Sequence, residues 1–110
     1  MSKYKNKKTI RDGVQFDSKA EARRYEELCL LQRAGEITAL RLQPKYELQP
    51  KFKRGKATIQ AITYIADFEY REGNKVIAED VKGVRTQVFS LKAKMFKFHY
   101  PNVELRIVAA

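Results

Sequence analysis

One cysteine, one histidine and three prolines occur among the 110 residues, and no apolar run is long enough to span a bilayer. The single cysteine, Cys29, excludes an internal disulfide and a cluster of metal-binding thiols. It sits inside a helical apolar pattern, which reads as a small core residue and not a nucleophile. With His99 alone, there is no second imidazole for a zinc site or a histidine-metal nuclease site. The opening "MSKYKNKKT" is basic but lacks the apolar stretch of a secretory signal, so a cytosolic location is expected. Acidic residues are in deficit too: 13 Asp and Glu against 23 Lys and Arg give a net charge of +10.

That excess points to a polyanionic partner. The cations recur along the chain in "KYKNKK", "KFKRGK" and "LKAKMFKF", so they can form a surface that tracks phosphates. No repeat or low-complexity stretch divides the chain, and its length suits one domain over residues 1–110, with a basic segment at about 1–9.

Local signals order the elements. "TIRDGVQF" reads as a hairpin around Asp12-Gly13. "DSKAEARRYEELCLLQRAGEI" is the clearest helix: Ser18 and Glu21 have capping-box spacing, Tyr25, Leu28 and Leu31 recur at helical intervals, and Gly35 is placed to end it. "ITALRLQPKYELQP" is extended, with Pro44 and Pro50 marking an edge or a break, and "KFKRGK" reads as a basic loop. "ATIQAITYIADFEY" and "KVIAEDVKG" are strands on either side of a turn at Glu72-Gly73-Asn74. A second helix runs from the N-cap Thr86 to His99, before Pro101, and "VELRIV" closes as a strand. Its stripe of Val88, Leu91, Met95 and Phe98 is expected to be core, with Ser90, Lys94 and Lys97 on another face.

Three carboxylates and a lysine break these patterns. Strand alternation puts Ile62, Tyr64, Ala66, Phe68 and Tyr70 on one face and Thr63, Ile65, Asp67 and Glu69 on the other. Asp80 and Lys82 point the same way, and Glu79 and Val81 the opposite way unless a bulge intervenes. A hairpin can bring Asp67 beside Asp80, and two carboxylates held close repel unless a cation sits between them. Magnesium fits, because it takes one or two protein carboxylates and completes its octahedron with water and phosphate; the Val81 carbonyl could add an oxygen. Lys82 would orient or help deprotonate an attacking water, or offset charge on the transition state. Glu21 lies mid-stripe on the first helix, where it either only completes the capping box or also delivers a third carboxylate; Glu26 and Glu27 fall outside the stripe.

With Glu21, Asp67 and Asp80-Val81-Lys82 in that order along helix, three strands, helix and strand, the sequence resembles the PD-(D/E)XK nuclease superfamily. More closely, "FDSKAEARRYEEL", "LQPKYELQP", "YIADFEY" and "EDVKG" look like a family of small phage and prophage proteins of unassigned function placed within it. The resemblance implies an α/β domain with a restriction-endonuclease-like core (α-β-β-β-α-β), a central mixed sheet flanked by helices, and a Mg²⁺ or Mn²⁺ site. It assigns Asp67 to the first aspartate, Asp80 to the acid of the (D/E)XK element, Lys82 to its lysine and Glu21 to the helix glutamate. Ala66 stands where proline often precedes the first aspartate. A bulge would let Glu79 contribute in place of Asp80, and Gln87 could match a glutamine that some members place by the site.

The resulting expectation is a metal-dependent nuclease of a phage or prophage, acting in the bacterial cytoplasm on DNA, with RNA left open, and cutting as an endonuclease. Arg23, Arg24, Lys51, Lys53, Arg54, Lys56, Lys94 and Lys97 are the candidate backbone contacts, and Tyr4, Tyr46 and Tyr100 the candidate base-stacking groups. So small a domain has little surface for sequence readout, so shape, ends or junctions are the expected targets. A homodimer would add contact area and set two sites on opposite strands. The alternatives are a non-catalytic nucleic-acid-binding module on the same fold and a basic assembly factor.

Overall fold

The computed structural model describes residues 8–110. Tyr4 and most of the basic N-terminal segment lie outside the described residues. Strands β1 (Thr9–Arg11) and β2 (Val14–Phe16) form the hairpin around Asp12-Gly13, both with positive φ as a tight hairpin turn needs. Ser18 is extended and its hydroxyl accepts the Glu21 N–H at 3.1 Å, opening helix α1 (Lys19–Arg33). Gly35, at φ 82°, takes the chain out of that helix. Thr86 caps helix α2 (Gln87–His99) in the same way, its hydroxyl accepting the Phe89 N–H at 3.1 Å. The local signals for both helices are therefore realised to within a residue or two.

Between and after the helices lie β3 (Thr38–Leu42), β4 (Lys45–Gln49), β5 (Phe52–Arg54), β6 (Ala57–Ile59), β7 (Ile62–Ile65), β8 (Phe68–Glu72), β9 (Lys75–Lys82) and β10 (Val103–Ala109). They make a single α/β domain around a mixed four-stranded sheet in the order β10-β9-β8-β3, in which β10 runs parallel to β9 and the other pairs are antiparallel. β4 pairs with β7, and β5 with β6, in separate two-stranded ribbons. The expected basic loop "KFKRGK" is thus a hairpin, β5–β6, turning at Gly55 with φ 62°. Among the described residues, no helix is long and apolar enough to cross a membrane.

The expected long strand over residues 57–70 breaks twice, and the second break matters most. At Ala66-Asp67 the chain leaves β4 and joins β3 and β9. Opposite it, Gln43-Pro44 makes the matching change of partner, and two backbone bonds tie the breaks together: Gln43 N–H to the Asp67 carbonyl (2.9 Å) and Ala66 N–H to the Pro44 carbonyl (3.2 Å). Pro44 has no N–H to continue a ladder. The expected single face of alternate residues is consequently split. Tyr64 and Ala66 bury with Tyr46, Leu48, Ala78 and Phe96 beneath α2, while Phe68 and Tyr70 bury with Phe16, Ala22, Leu28 and Ile77 beneath α1. Period-2 alternation holds only while the ladder is unbroken.

Helix α2 corrects a second expectation. Val88, Leu91 and Phe98 are 64%, 60% and 80% exposed, and of the expected stripe only Met95 packs against the core. The buried side carries Phe96, fully enclosed between the Tyr64 and Tyr100 rings, and, earlier on the same face, Phe89, which meets Tyr64. Both stripes satisfy the 3.6-residue period, and the aromatic one is the one that meets the Tyr46 and Tyr64 rings of β4 and β7.

Candidate active site

Strand β9 lies between β8 and β10, so its side chains alternate between the two cores. Asp80 is enclosed on the α2 side: its Oδ1 accepts the Asp67 N–H at 2.8 Å and its Oδ2 accepts the Tyr64 hydroxyl. Asp67, in the break between β7 and β8, reaches back with Oδ2 to the Val81 N–H at 2.8 Å. Each aspartate thus holds a peptide N–H of the other's segment. Here Val81 contributes its N–H; the ligand role expected of its carbonyl forms no part of this contact.

Glu21 arrives from the first turn of α1 and is buried there. Burial raises its carboxyl above the usual range, with Asp17 and then Asp80 adding to the effect and Lys82 opposing it. Asp67 is pushed up to about 7, first by burial; the Val81 N–H lowers it, Asp80 and Glu21 raise it, and Lys82 lowers it. The fold therefore brings Glu21, Asp67, Asp80 and Lys82 within one another's fields. The Lys82 ammonium lies 4.8 Å from the Phe89 ring centroid, at the edge of α2.

These oxygens suit a hard divalent cation in chemistry: carboxylates crowded in a desolvated place, one of them, Asp67, pushed up to about 7 chiefly by that burial. As they stand, among the described residues, no three carboxylate, imidazole or thiol groups are arranged to hold a metal ion. The protein's own donors occupy both oxygens of Asp80.

Glu79, the alternative to Asp80, points to the other face. Arg24 grips it with Nε and Nη2 at 2.7 and 2.9 Å, and the Tyr70 hydroxyl donates to it at 2.6 Å. The β8–β9 and β9–β10 registers run without a shift, so no bulge turns Glu79 toward Asp67. Arg24 is consequently removed from the expected phosphate contacts, since its guanidinium serves Glu79 and, at 3.3 Å, Glu27. Gln87 is exposed at the start of α2 and makes no hydrogen bond to the four site residues. Arg23, Lys94 and Lys97 are exposed on the helices, and Lys51, Lys53, Arg54 and Lys56 are exposed on and beside the β5–β6 hairpin. Tyr46, expected to stack on bases, is buried with its hydroxyl donating to Glu69 at 2.6 Å. Tyr100 is half-buried and donates to the Glu47 carbonyl at 2.9 Å.

Sequence reasoning missed Tyr64 as the partner of Asp80, and Arg24 with Tyr70 as the partners of Glu79. No local signal marks them: each pair joins residues at least nine apart through packing. Residues 1–110 match the model of a family described as "Protein of unknown function (DUF1064)", and no curated protein matches the chain.

Proposed function

The chain belongs to that family, and we propose that it is a metal-dependent nuclease of the PD-(D/E)XK type that hydrolyses DNA phosphodiester bonds. The observation that carries this reading is the reciprocal pairing of Asp67 and Asp80 at the strand break, with Glu21 and Lys82 in the same field. A Mg²⁺ or Mn²⁺ ion held by Asp67 and Asp80, with Glu21 beside them, would lower the pKa of a bound water and stabilise the leaving oxygen. The chain's own groups do the rest. Lys82 orients the attacking water or offsets the charge that develops on the phosphate. Tyr64 fixes the rotamer of Asp80. The exposed cations Lys51, Lys53, Arg54 and Lys56 track the phosphate backbone, and Lys94 and Lys97 extend that contact along α2. The reading carries with it a phage or prophage origin, work in the bacterial cytoplasm, and recognition of DNA shape or ends; a homodimer would present two such sites.

A panel of supercoiled, linear, single-stranded, flap and four-way-junction DNA, incubated with Mg²⁺, Mn²⁺ or EDTA, tests it. Wild type is expected to cut only with metal, and Asp80→Ala and Lys82→Ala to lose about 10²-fold or more of that activity while still binding. Cutting that survives both substitutions overturns the site. One observation favours a second reading, a binding module without catalysis: both oxygens of Asp80 are already satisfied by protein donors. That module would bind every form tightly, with a steep salt dependence, and cut none.

A further inference from the structure

A cavity of about 290 Å³ opens between β7, the end of β9 and the first turns of α2, with Tyr64 in its wall. Tyr64, whose hydroxyl donates to Asp80, and Lys82, two residues along β9 from Asp80, connect the cavity to the aspartate pair. Among the described residues, no acidic side chain lines it. Lys82 and Lys92 supply two cations, neither in an ion pair among the described residues, and Thr63 and Thr86 supply two hydroxyls. The Thr86 oxygen already accepts the Phe89 N–H, which leaves its proton to donate. The rest of the wall is apolar: Phe89, with Ile65 and Val88, which are 50% and 64% exposed.

From this lining we infer that the cavity is a pocket for one unpaired nucleotide next to the scissile phosphate, so that the substrate class is single-stranded DNA or a duplex that frays, forks or flips a nucleotide there. Its place beside the scissile bond rests on the nuclease reading; its ligand chemistry does not. Two lysines and two hydroxyls without a carboxylate select an anion, and the apolar wall suits a sugar or a base face in a sequence-tolerant way. At about 290 Å³ the volume lies just under the small-ligand range of about 300–1,000 Å³ and is of the order of one nucleotide. A base held in intact duplex can lay its face on the apolar wall only by leaving the stack, at about a few kcal/mol, which places frayed and single-stranded forms ahead. The exposure of Ile65 and Val88, unexplained by the core, follows from this use.

Fluorescence anisotropy in EDTA, where nothing is cut, tests it with labelled oligo(dT) and a blunt duplex of equal length. Lys92→Glu and Val88→Glu are expected to weaken oligo(dT) binding about tenfold or more. Their effect on the duplex should stay within about threefold. Lys53→Glu, on the β5–β6 hairpin, should weaken both ligands alike. Equal losses on both ligands from the pocket variants, or no loss on oligo(dT), overturn the pocket. Thermal melts confirm folding, and Lys92→Gln replaces Lys92→Glu if the latter does not fold. The two readings fail separately: a protein that cuts nothing but keeps the selective single-strand loss retains the pocket without the nuclease, and one that cuts without it retains the nuclease without the pocket.

Discussion

Arg24, one turn along α1 from Glu21, closes on Glu79 of β9 through two parallel hydrogen bonds of 2.7 and 2.9 Å. Glu79 is fully buried, and Tyr70 completes its shell at 2.6 Å. Since Glu79 and Asp80 are neighbours on one strand, β9 clamps α1 with one face and builds the aspartate pair on the other. The clamp sets the position of α1 and therefore of Glu21.

Removing one side of that clamp leaves a buried, unpaired carboxylate. Arg24→Ala is expected to destabilise the protein by about 3 kcal/mol, read by urea denaturation. The double variant Arg24→Met/Glu79→Leu should recover most of that loss, because no charge is left to desolvate. A double variant no more stable than Arg24→Ala would mean that the pair does more than satisfy its own charges.

The carboxyl of Asp67 gives a pH signature. Its folded-state value, about 7, lies above the ordinary value of 3.8 that the unfolded chain would show, so its contribution is fully present below about 4 and is lost as pH rises through about 7. Asp67→Asn cannot ionise. In EDTA the variant should gain on wild type by about 4 kcal/mol between pH 4 and pH 8, seen as a growing difference in Tm. A difference that stays flat with pH would show that Asp67 titrates normally.

On α2 the two stripes predict opposite sensitivities. Phe96→Ala is expected to cost about 3–5 kcal/mol through the cavity it leaves, whereas Leu91→Lys and Phe98→Lys, on the exposed stripe, should stay within about 0.5 kcal/mol. Chemical denaturation of the three variants distinguishes this packing from the one in which Leu91 and Phe98 are core.

Gln43 has φ 51° where the strands change partners, a left-handed conformation that a side chain resists. Gln43→Gly relieves that resistance and should stabilise the fold by about 0.5–1 kcal/mol, provided the bond to the Asp67 carbonyl is kept. A fall in Tm for this variant would count against the conformation.

Much of the candidate site was legible in the sequence because acids in strands are conspicuous. Asp67, Asp80 and Lys82 stand out against the apolar alternation, and Glu21 stands out against the stripe of α1. Arg24 was not separable from the other surface cations, since its partner lies 55 residues away in the chain. Tyr64 read as one more strand aromatic, and Tyr46 as a base-stacking group, because their partners Asp80 and Glu69 are likewise distant in the chain.

By itself the sequence determined what depends on a few neighbouring residues: the caps at Ser18 and Thr86, the turns at Asp12-Gly13 and Gly73, the extent of both helices, and the alternation that sends Asp80 and Lys82 to one side of β9. Those features rest on hydrogen bonds and φ preferences spanning three or four positions. Only the tertiary structure decided that β7 and β8 part at Asp67, that Phe96 and not Leu91 faces the sheet, and that Glu79 goes to Arg24. Each of those outcomes is a competition between partners distant in the chain, decided by which arrangement buries more apolar area and leaves no buried charge unpaired.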